Sequence, residues 1–413
     1  MIRTPKSLRI QIGLFGRTNV GKSSFLNFVA GQDVAITSPI AGTTTDVVEK
    51  CMELLPVGPV VFLDTAGLDD VSDLAALRIK KTKKIFDRSD VIVLITEADA
   101  WTGFEEEVLF EAKKREIPVI IVINKIDLKK PSSGFLEKLN KLSNYVIQCN
   151  SLKASERDEV VVVFKKYLLT TCPDGLHNPS KLIGDLVCSG SIVILIVPID
   201  LEAPKGRIIL PQVQVIRDLL DHRACALVVK ESEYLDILSK LKDLPDLVVC
   251  DSQVVHKMVK ETPVKVKCTT FSILFSKYRG DLLETVKGLS AIGSLKDGDK
   301  VLIAEACSHH AIEDDIGRVK IPKWLKNFTG ANLIFEVCSG RDYPEDLRKY
   351  ALIVHCGGCM INRREMLSRI QRAKEQKVPI TNYGLAIAKA NGVLERVLSP
   401  FPEVLKFAAK ANK

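Results

Sequence analysis

Eight residues near the start of the chain restrict its fold more than any other feature. Gly16-Arg17-Thr18-Asn19-Val20-Gly21-Lys22-Ser23 follows the apolar run Ile10–Phe15 and precedes the helical pattern Ser23–Ala30. A glycine-bracketed loop between a strand and a helix, closed by Lys-Ser, folds its backbone N–H groups around a phosphate and adds the helix dipole. The pattern around it continues as such a loop requires. Strand-like runs at Val60–Asp64, Val91–Thr96, Val119–Asn124 and Tyr145–Gln148 alternate with helical ones at Ala75–Asp87 and Glu105–Arg115. Alternation of this kind implies crossovers and a mostly parallel sheet.

The chain has 413 residues, more than one core usually serves, and its 46% apolar content suffices for several. We expect an α/β protein of three domains with mostly parallel sheets: residues 1–171 binding nucleotide, 172–263 a small α/β module, and 264–413 a third α/β domain. Cys172–Ser180, rich in Pro, Gly and Asn, reads as the linker. The second segment has strand patterns at Ile192–Pro198, Ala224–Val229 and Leu247–Cys250, with helical ones at Val213–His222, Glu233–Leu241 and Gln253–Glu261. It shows no convergent polar cluster, and we read it as a dimerisation module. The third has strands at Lys300–Ala306, Asn332–Val337 and Ala351–His355, and helices at Asp281–Leu289, Pro344–Lys349, Arg363–Gln376 and Tyr383–Ala390. A net charge of +8 reads as an ordinary solvated surface, so nucleic acid is not an expected partner. No secretory signal opens the chain, and its longest apolar candidate, Ser191–Asp200, is strand-sized. A cytoplasmic protein without a membrane partner is expected. Its 11 cysteines then read as thiols, some of them metal ligands, and not as a disulfide framework.

The residues around the phosphate loop specify a Ras-like P-loop GTPase that binds GTP or GDP with Mg²⁺. Gly16 and Gly21 shape the loop, Lys22 reaches the β- and γ-phosphates, and Ser23, with Ser24 beside it, opens the helix as an Mg²⁺ ligand. Asp64 in Asp64-Thr65-Ala66-Gly67 ends a strand, where its carboxylate holds Mg²⁺ through water, and the Gly67 N–H senses the γ-phosphate. Thr44, within Thr43-Thr44-Thr45, is the expected Mg²⁺-ligating hydroxyl of the first switch. Lys22, Thr44 and Gly67 form the expected catalytic set. Asn124-Lys125-Ile126-Asp127 ends another strand, and the Asp127 carboxylate accepts the two guanine N–H groups that adenine lacks. Ser151, in Asn150-Ser151-Leu152-Lys153, backs the base.

Residues 8–170 resemble the TrmE–Era group of translation-factor-related GTPases, on these motifs and on Gly42-Thr43-Thr44-Thr45-Asp46. The resemblance implies that Asn19 ligates a K⁺ beside the phosphates and that K⁺ stimulates hydrolysis. Leu68 stands where Ras has glutamine, and only Asp69, Asp70 and Asp73 lie near the place of the TrmE second-switch acid. Slow intrinsic hydrolysis is therefore expected.

The third segment carries Cys307-Ser308-His309 and, far downstream, His355-Cys356-Gly357-Gly358-Cys359. Each follows an expected parallel strand, so both stand at carboxyl ends where ligands gather in open α/β sheets. Three readings stand side by side: a structural zinc held by three Cys and a His, an iron–sulfur cluster held by three Cys, or buried thiols without metal. The order of all these elements resembles the FeFe-hydrogenase maturation GTPases, over essentially the whole chain. That resemblance implies a 4Fe–4S cluster on Cys307, Cys356 and Cys359, with His309 and His355 as a fourth ligand or as groups behind the ligands. Glu305, two residues before Cys307 on one strand face, is another candidate for the fourth position, or merely a polar residue near a strand end. Cys338 is a rival, and Arg363 and Arg364 either attract an anionic precursor or belong to a solvated helix face.

The function the resemblance implies is a GTPase scaffold that assembles or carries a di-iron precursor and delivers it to apo FeFe-hydrogenase. Radical-SAM maturases are the implied further partners, and a homodimer the implied assembly. The alternative is an RNA- or ribosome-associated GTPase with a structural zinc; against it, the chain ends Ala411-Asn412-Lys413 without the Cys-x-Gly-Lys ending of TrmE, and no G-x-x-G module is visible. A stand-alone redox protein is the third option, and an open iron site argues against it.

Overall fold

Among the described residues, fourteen short strands fall into three sheets, and all but one of the strand pairs are parallel. The structure is a computed structural model that describes residues 4–31, 48–64, 75–172, 181–199, 208–307 and 315–411. It divides into two units, Met1–Ser180 and Lys181–Lys413.

The first unit is built on β1 (Ile10–Phe15), β2 (Val48–Leu54), β3 (Gly58–Asp64), β4 (Val91–Glu97), β5 (Val119–Asn124) and β6 (Val146–Gln148), in the order β2-β3-β1-β4-β5-β6. The expected strands are all present. β1 and β5 are mostly apolar and buried along nearly their whole length, as strands covered on both faces must be. β2 is the added element. It pairs antiparallel with β3 across the turn at Leu55-Pro56-Val57, and its mixed sequence suits an edge strand. On one face, helix Arg157–Thr171 brings Phe164, fully buried, edge-on to Phe25 at 5.6 Å between ring centroids, with Phe62 stacked at 6.5 Å. Arg157 caps helix Lys22–Ala30, its Nε donating to the Phe28 carbonyl (2.7 Å) and its Nη2 to that of Val29 (3.1 Å).

The second unit holds two parallel sheets. One is formed by β7 (Ile192–Ile196), β8 (Cys225–Val229), β9 (Leu247–Cys250) and β10 (Lys267–Thr270), in the order β10-β9-β7-β8. The other is formed by β11 (Lys300–Ala304), β12 (Ile334–Cys338), β13 (Leu352–His355) and β14 (Ile380–Asn382), in the order β12-β11-β13-β14. The first of these sheets takes its fourth strand, β10, from beyond the boundary expected at 263/264. A single apolar core joins both sheets, with Val193 and Leu195 of β7, Val248 of β9, Val301 and Ile303 of β11 and Val354 of β13 among its members.

The helix expected at Pro344–Lys349 is absent. Side chains satisfy that backbone locally: the Leu347 N–H donates to Gln376 Oε1 (2.7 Å), Gln376 Nε2 donates to the Glu345 carbonyl (2.7 Å), and Asp346 accepts from the Arg348 N–H (3.1 Å). Among the described residues, no helix is long and apolar enough to cross a membrane.

Phe164→Ala removes the ring that joins two others in the core of the first unit. The expected loss is about 3–5 kcal/mol of unfolding free energy, read from urea denaturation.

Candidate functional sites

The phosphate loop leaves the carboxyl end of β1 and enters helix Lys22–Ala30. Gly21 caps that helix at φ +95°, and a Cβ there would lie 2.2 Å from Asn124 Nδ2. Only glycine satisfies both conditions. The Lys22 ammonium lies inside the loop and donates to the carbonyls of Gly16 (2.7 Å) and Arg17 (3.0 Å). Ser23 is exposed and Ser24 half-buried in the first helical turn. Asn19 is exposed at φ +64°. Asp64 is buried at the end of β3, in register with Leu14 of β1. Thr44 and Gly67, with the flanking residues of both switch motifs, lie outside the described residues.

Asn124 is the hub of the base-side loops. Its Nδ2 donates to the Val20 carbonyl (2.9 Å), and its Oδ1 accepts from the Ser151 N–H (3.1 Å) and hydroxyl (2.8 Å). One side chain thus ties the loop after β6 to the phosphate loop. Lys125, at φ +58°, adds a second tie: its Nζ donates to the Asn19 carbonyl (2.5 Å) and to Glu97 Oε1 (2.6 Å). Asp127 is exposed beyond it, as a carboxylate awaiting a base must be.

A third tie escaped the sequence reading. Arg17 Nε donates to Glu105 Oε1 (2.7 Å) and Arg17 Nη2 to the Ala100 carbonyl (3.1 Å). Glu105 is fully buried, and its Oε2 accepts from the Thr102 N–H and hydroxyl. Burial pushes the Glu105 carboxyl up, but the bonds from Thr102 and Arg17 outweigh it and hold the group below its ordinary range. The capping box Thr102-x-x-Glu105 was the available signal.

The cysteines occupy the second unit. Cys307 follows β11 and Cys356 follows β13, two adjacent parallel strands with Ala304 opposite His355. The Cys356 N–H donates to the Ala304 carbonyl (2.9 Å), and the Ala306 N–H donates to Cys356 Sγ (3.1 Å). Cys307, Cys356 and Cys359 are each partly exposed. Burial of its sulfur pushes the Cys359 thiol up to about 12, with Cys356 and Cys307 adding to the effect. Burial also raises Cys356, against the N–H groups of Gly358 and Ala306. Binding a metal here must displace thiol protons. Among the described residues, no three His, Cys, Asp or Glu side chains form a site for a single metal ion.

The other candidates are differently engaged. His355 is buried; burial and the nearby Arg369 hold its imidazole down to about 3, so it is neutral. Its Nε2 accepts from Arg369 Nη1 (3.1 Å), which assigns the proton to Nδ1, donating to the Cys356 carbonyl (2.8 Å). Glu305 Oε2 accepts from Arg318 Nη2 (3.0 Å) and Ser339 Oγ (2.9 Å), while Oε1 receives Arg318 Nε at 3.4 Å. Cys338 is buried at the end of β12, its thiol pushed by burial up to about 11. Arg363 Nη1 donates to the carbonyls of Tyr278 (2.8 Å) and Gly280 (3.0 Å), so it serves the end of helix Phe271–Arg279. His309 lies outside the described residues.

By chemistry the donor set suits an iron–sulfur cluster: three thiols, one of them receiving a backbone N–H at 3.1 Å, on loops with Gly357 and Gly358 between two of the thiols.

Comparison with known proteins follows this division. A family model described as the hydrogen maturase F dimerization domain matches residues 182–280, and one described as the hydrogen maturase F tetramerization domain matches residues 283–400. A third, described as a 50S ribosome-binding GTPase, matches residues 11–125. The tRNA modification GTPase MnmE of Synechococcus sp. (strain JA-2-3B'a(2-13)) is 40% identical over 124 residues, 30% of this chain and 26% of the relative. The same enzyme of Clostridioides difficile (strain 630) is 33% identical over 150 residues, 36% of this chain and 32% of the relative. The chain thus spans less than a third of the length of these curated relatives. A crystal structure of Era in complex with MgGDPNP and 16S ribosomal RNA nucleotides aligns at 20% identity and a TM-score of 0.32, over 55% of this chain and 97% of that one.

Gly21→Ala forces a Cβ onto Asn124 and strains a left-handed residue. At a cost of about 1–3 kcal/mol for the strain, GTP affinity should fall on the order of tenfold or more, measured by fluorescent-nucleotide titration.

Proposed function

The chain belongs to the hydrogen maturase F family, and on that premise we propose that it is a GTP-hydrolysing iron–sulfur scaffold that assembles or delivers the di-iron precursor of the FeFe-hydrogenase active site. Its first third is a GTPase domain. The observation that carries the reading is the set of thiols after the adjacent parallel strands β11 and β13, with the Ala306 N–H already donating to Cys356 Sγ.

In the nucleotide site, Lys22 neutralises the β- and γ-phosphates, Ser23 and Asp64 hold Mg²⁺ together with Thr44, and Asp127 selects guanine. Gly67 senses the γ-phosphate, and Asn19 ligates K⁺. Hydrolysis gates contact with partners and does no chemistry on the cargo. In the second unit, Cys307, Cys356 and Cys359 would hold a 4Fe–4S cluster, which supplies an iron coordination position open to the di-iron cargo. His355 positions the Cys356 carbonyl. Apo FeFe-hydrogenase and radical-SAM maturases are the partners in this reading.

The chain carries dimerization and tetramerization domains and is read as at least a homodimer. Two edge strands support assembly: β8 exposes Cys225 and Val228, and β12 exposes Ile334 and Val337, each at the outer edge of its sheet among the described residues.

Iron, acid-labile sulfide and zinc per chain, measured after anaerobic reconstitution, test the scaffold reading. About four irons and four sulfides are expected for the wild type, falling steeply in Cys307→Ser, Cys356→Ser and Cys359→Ser. One zinc and no sulfide would transfer the case to an RNA-associated GTPase with a structural zinc. The switch reading is tested separately by GTP turnover in K⁺ against Na⁺: stimulation by K⁺ is expected in the wild type and its loss in Asn19→Ala. Equal turnover in both salts would remove K⁺ from the account.

A further inference from the structure

Tyr383 is the first residue of helix Tyr383–Ala390 and directly follows β14, whose Asn382 pairs with His355 of β13. The residue is 9% exposed, and its hydroxyl is buried without a hydrogen-bond partner among the described residues. Buried hydroxyls are rarely left so, and a phenylalanine of nearly the same shape would avoid the loss. The chain instead makes room for the oxygen. A Cβ on Gly317 would lie 2.3 Å from the Tyr383 hydroxyl and 3.0 Å from Glu305 Oε1, so both polar groups face the space that this glycine keeps open. The Tyr383 phenol is also within electrostatic reach of Cys356, Glu305, Asp315 and Cys307.

We propose that Tyr383 is a positioning residue of the cluster site, its phenolic O–H donating to a sulfur of the cluster held by Cys307, Cys356 and Cys359. The inference rests on the scaffold reading above. The group is the donor of this pair: a phenol carries one O–H, and a cluster sulfur can only accept. A hydrogen bond to a cluster sulfur stabilises the reduced, more negative form, so its presence raises the reduction potential. It also explains why a buried hydroxyl with no partner among the described residues is kept in the space that Gly317 leaves open, facing Glu305.

The test compares the reconstituted full-length wild type with Tyr383→Phe. Iron and sulfide per chain are measured, then the midpoint potential and the electron paramagnetic resonance spectrum of the reduced cluster, then urea unfolding of the metal-free chain. The expected variant holds the wild-type iron and sulfide, has a more negative midpoint and altered g-values, and unfolds without metal at the same or a higher urea concentration, since no internal bond is lost. A variant that loads less iron while its metal-free fold is intact is the stronger form of the same result. A loaded variant with the wild-type potential and spectrum overturns the inference. So does a metal-free variant that is clearly less stable, because the hydroxyl then has an internal structural role. A wild type that takes up no iron and sulfide overturns the scaffold reading itself, which separates that failure from failure of the role given to Tyr383.

Discussion

A parallel strand reaches its neighbour only through a crossover that returns the chain to the same edge of the sheet. Everything chemical in this protein stands on that constraint. In the first unit, the phosphate loop follows β1, Asp64 ends β3, Glu97 ends β4 and Asn124 ends β5, all at the carboxyl edge. In the second, Cys307 follows β11, Cys356 follows β13 and Tyr383 follows β14. Residues far apart in sequence meet because the strands before them are neighbours in register, as Ala304 and His355 are. The sheets supply position, and the loops supply the chemistry.

Position alone leaves loops free to move, and each site adds polar ties that fix them. The phosphate loop is held by Asn124 and Lys125 at the end of β5 and by Glu105 in helix Gly103–Lys114. Glu105 is fully buried, so removing Arg17 would strand a carboxylate in the core. Behind the cysteines, Arg369 does the equivalent work: it donates to His355 Nε2, to Glu365 Oε1 (2.7 Å) and to the Gly340 carbonyl (2.7 Å). A permanent cation near Cys356 and Cys338 favours their ionised forms against burial, while the neutral His355 holds the backbone at Cys356. Both ring nitrogens of His355 and both oxygens of Glu305 face protein donors or acceptors.

What was legible in the sequence was whatever depends on a continuous apolar run or on a fixed local spacing. β5 and β9 stand at the expected residues because each is a nearly unbroken apolar run, and β1 because its apolar residues lead straight into the phosphate loop. β10 (Lys-Cys-Thr-Thr) and the three-residue β14 were not legible, since their strand character comes from the sheets that receive them and not from their composition. The expected helix over Pro344–Lys349 failed for a related reason: Tyr343, Leu347 and Tyr350 are buried as they would be on a helix, but Gln376 and Asp346 satisfy the backbone instead. In the sites, the motif residues were visible and their supports were not. Nothing in the spacing of Arg17 and Glu105 announces that they share a site.

The central claim is that one chain couples a guanine-nucleotide switch to delivery of an iron cargo held on three cysteines. The direct measurement is hydrogen evolution by apo FeFe-hydrogenase after incubation with this protein produced beside its radical-SAM partners, comparing wild type, Lys22→Ala and Cys356→Ser. The account predicts activation by the wild type, a changed rate or yield with Lys22→Ala, and none with Cys356→Ser. Activation by Cys356→Ser at the wild-type level would contradict it.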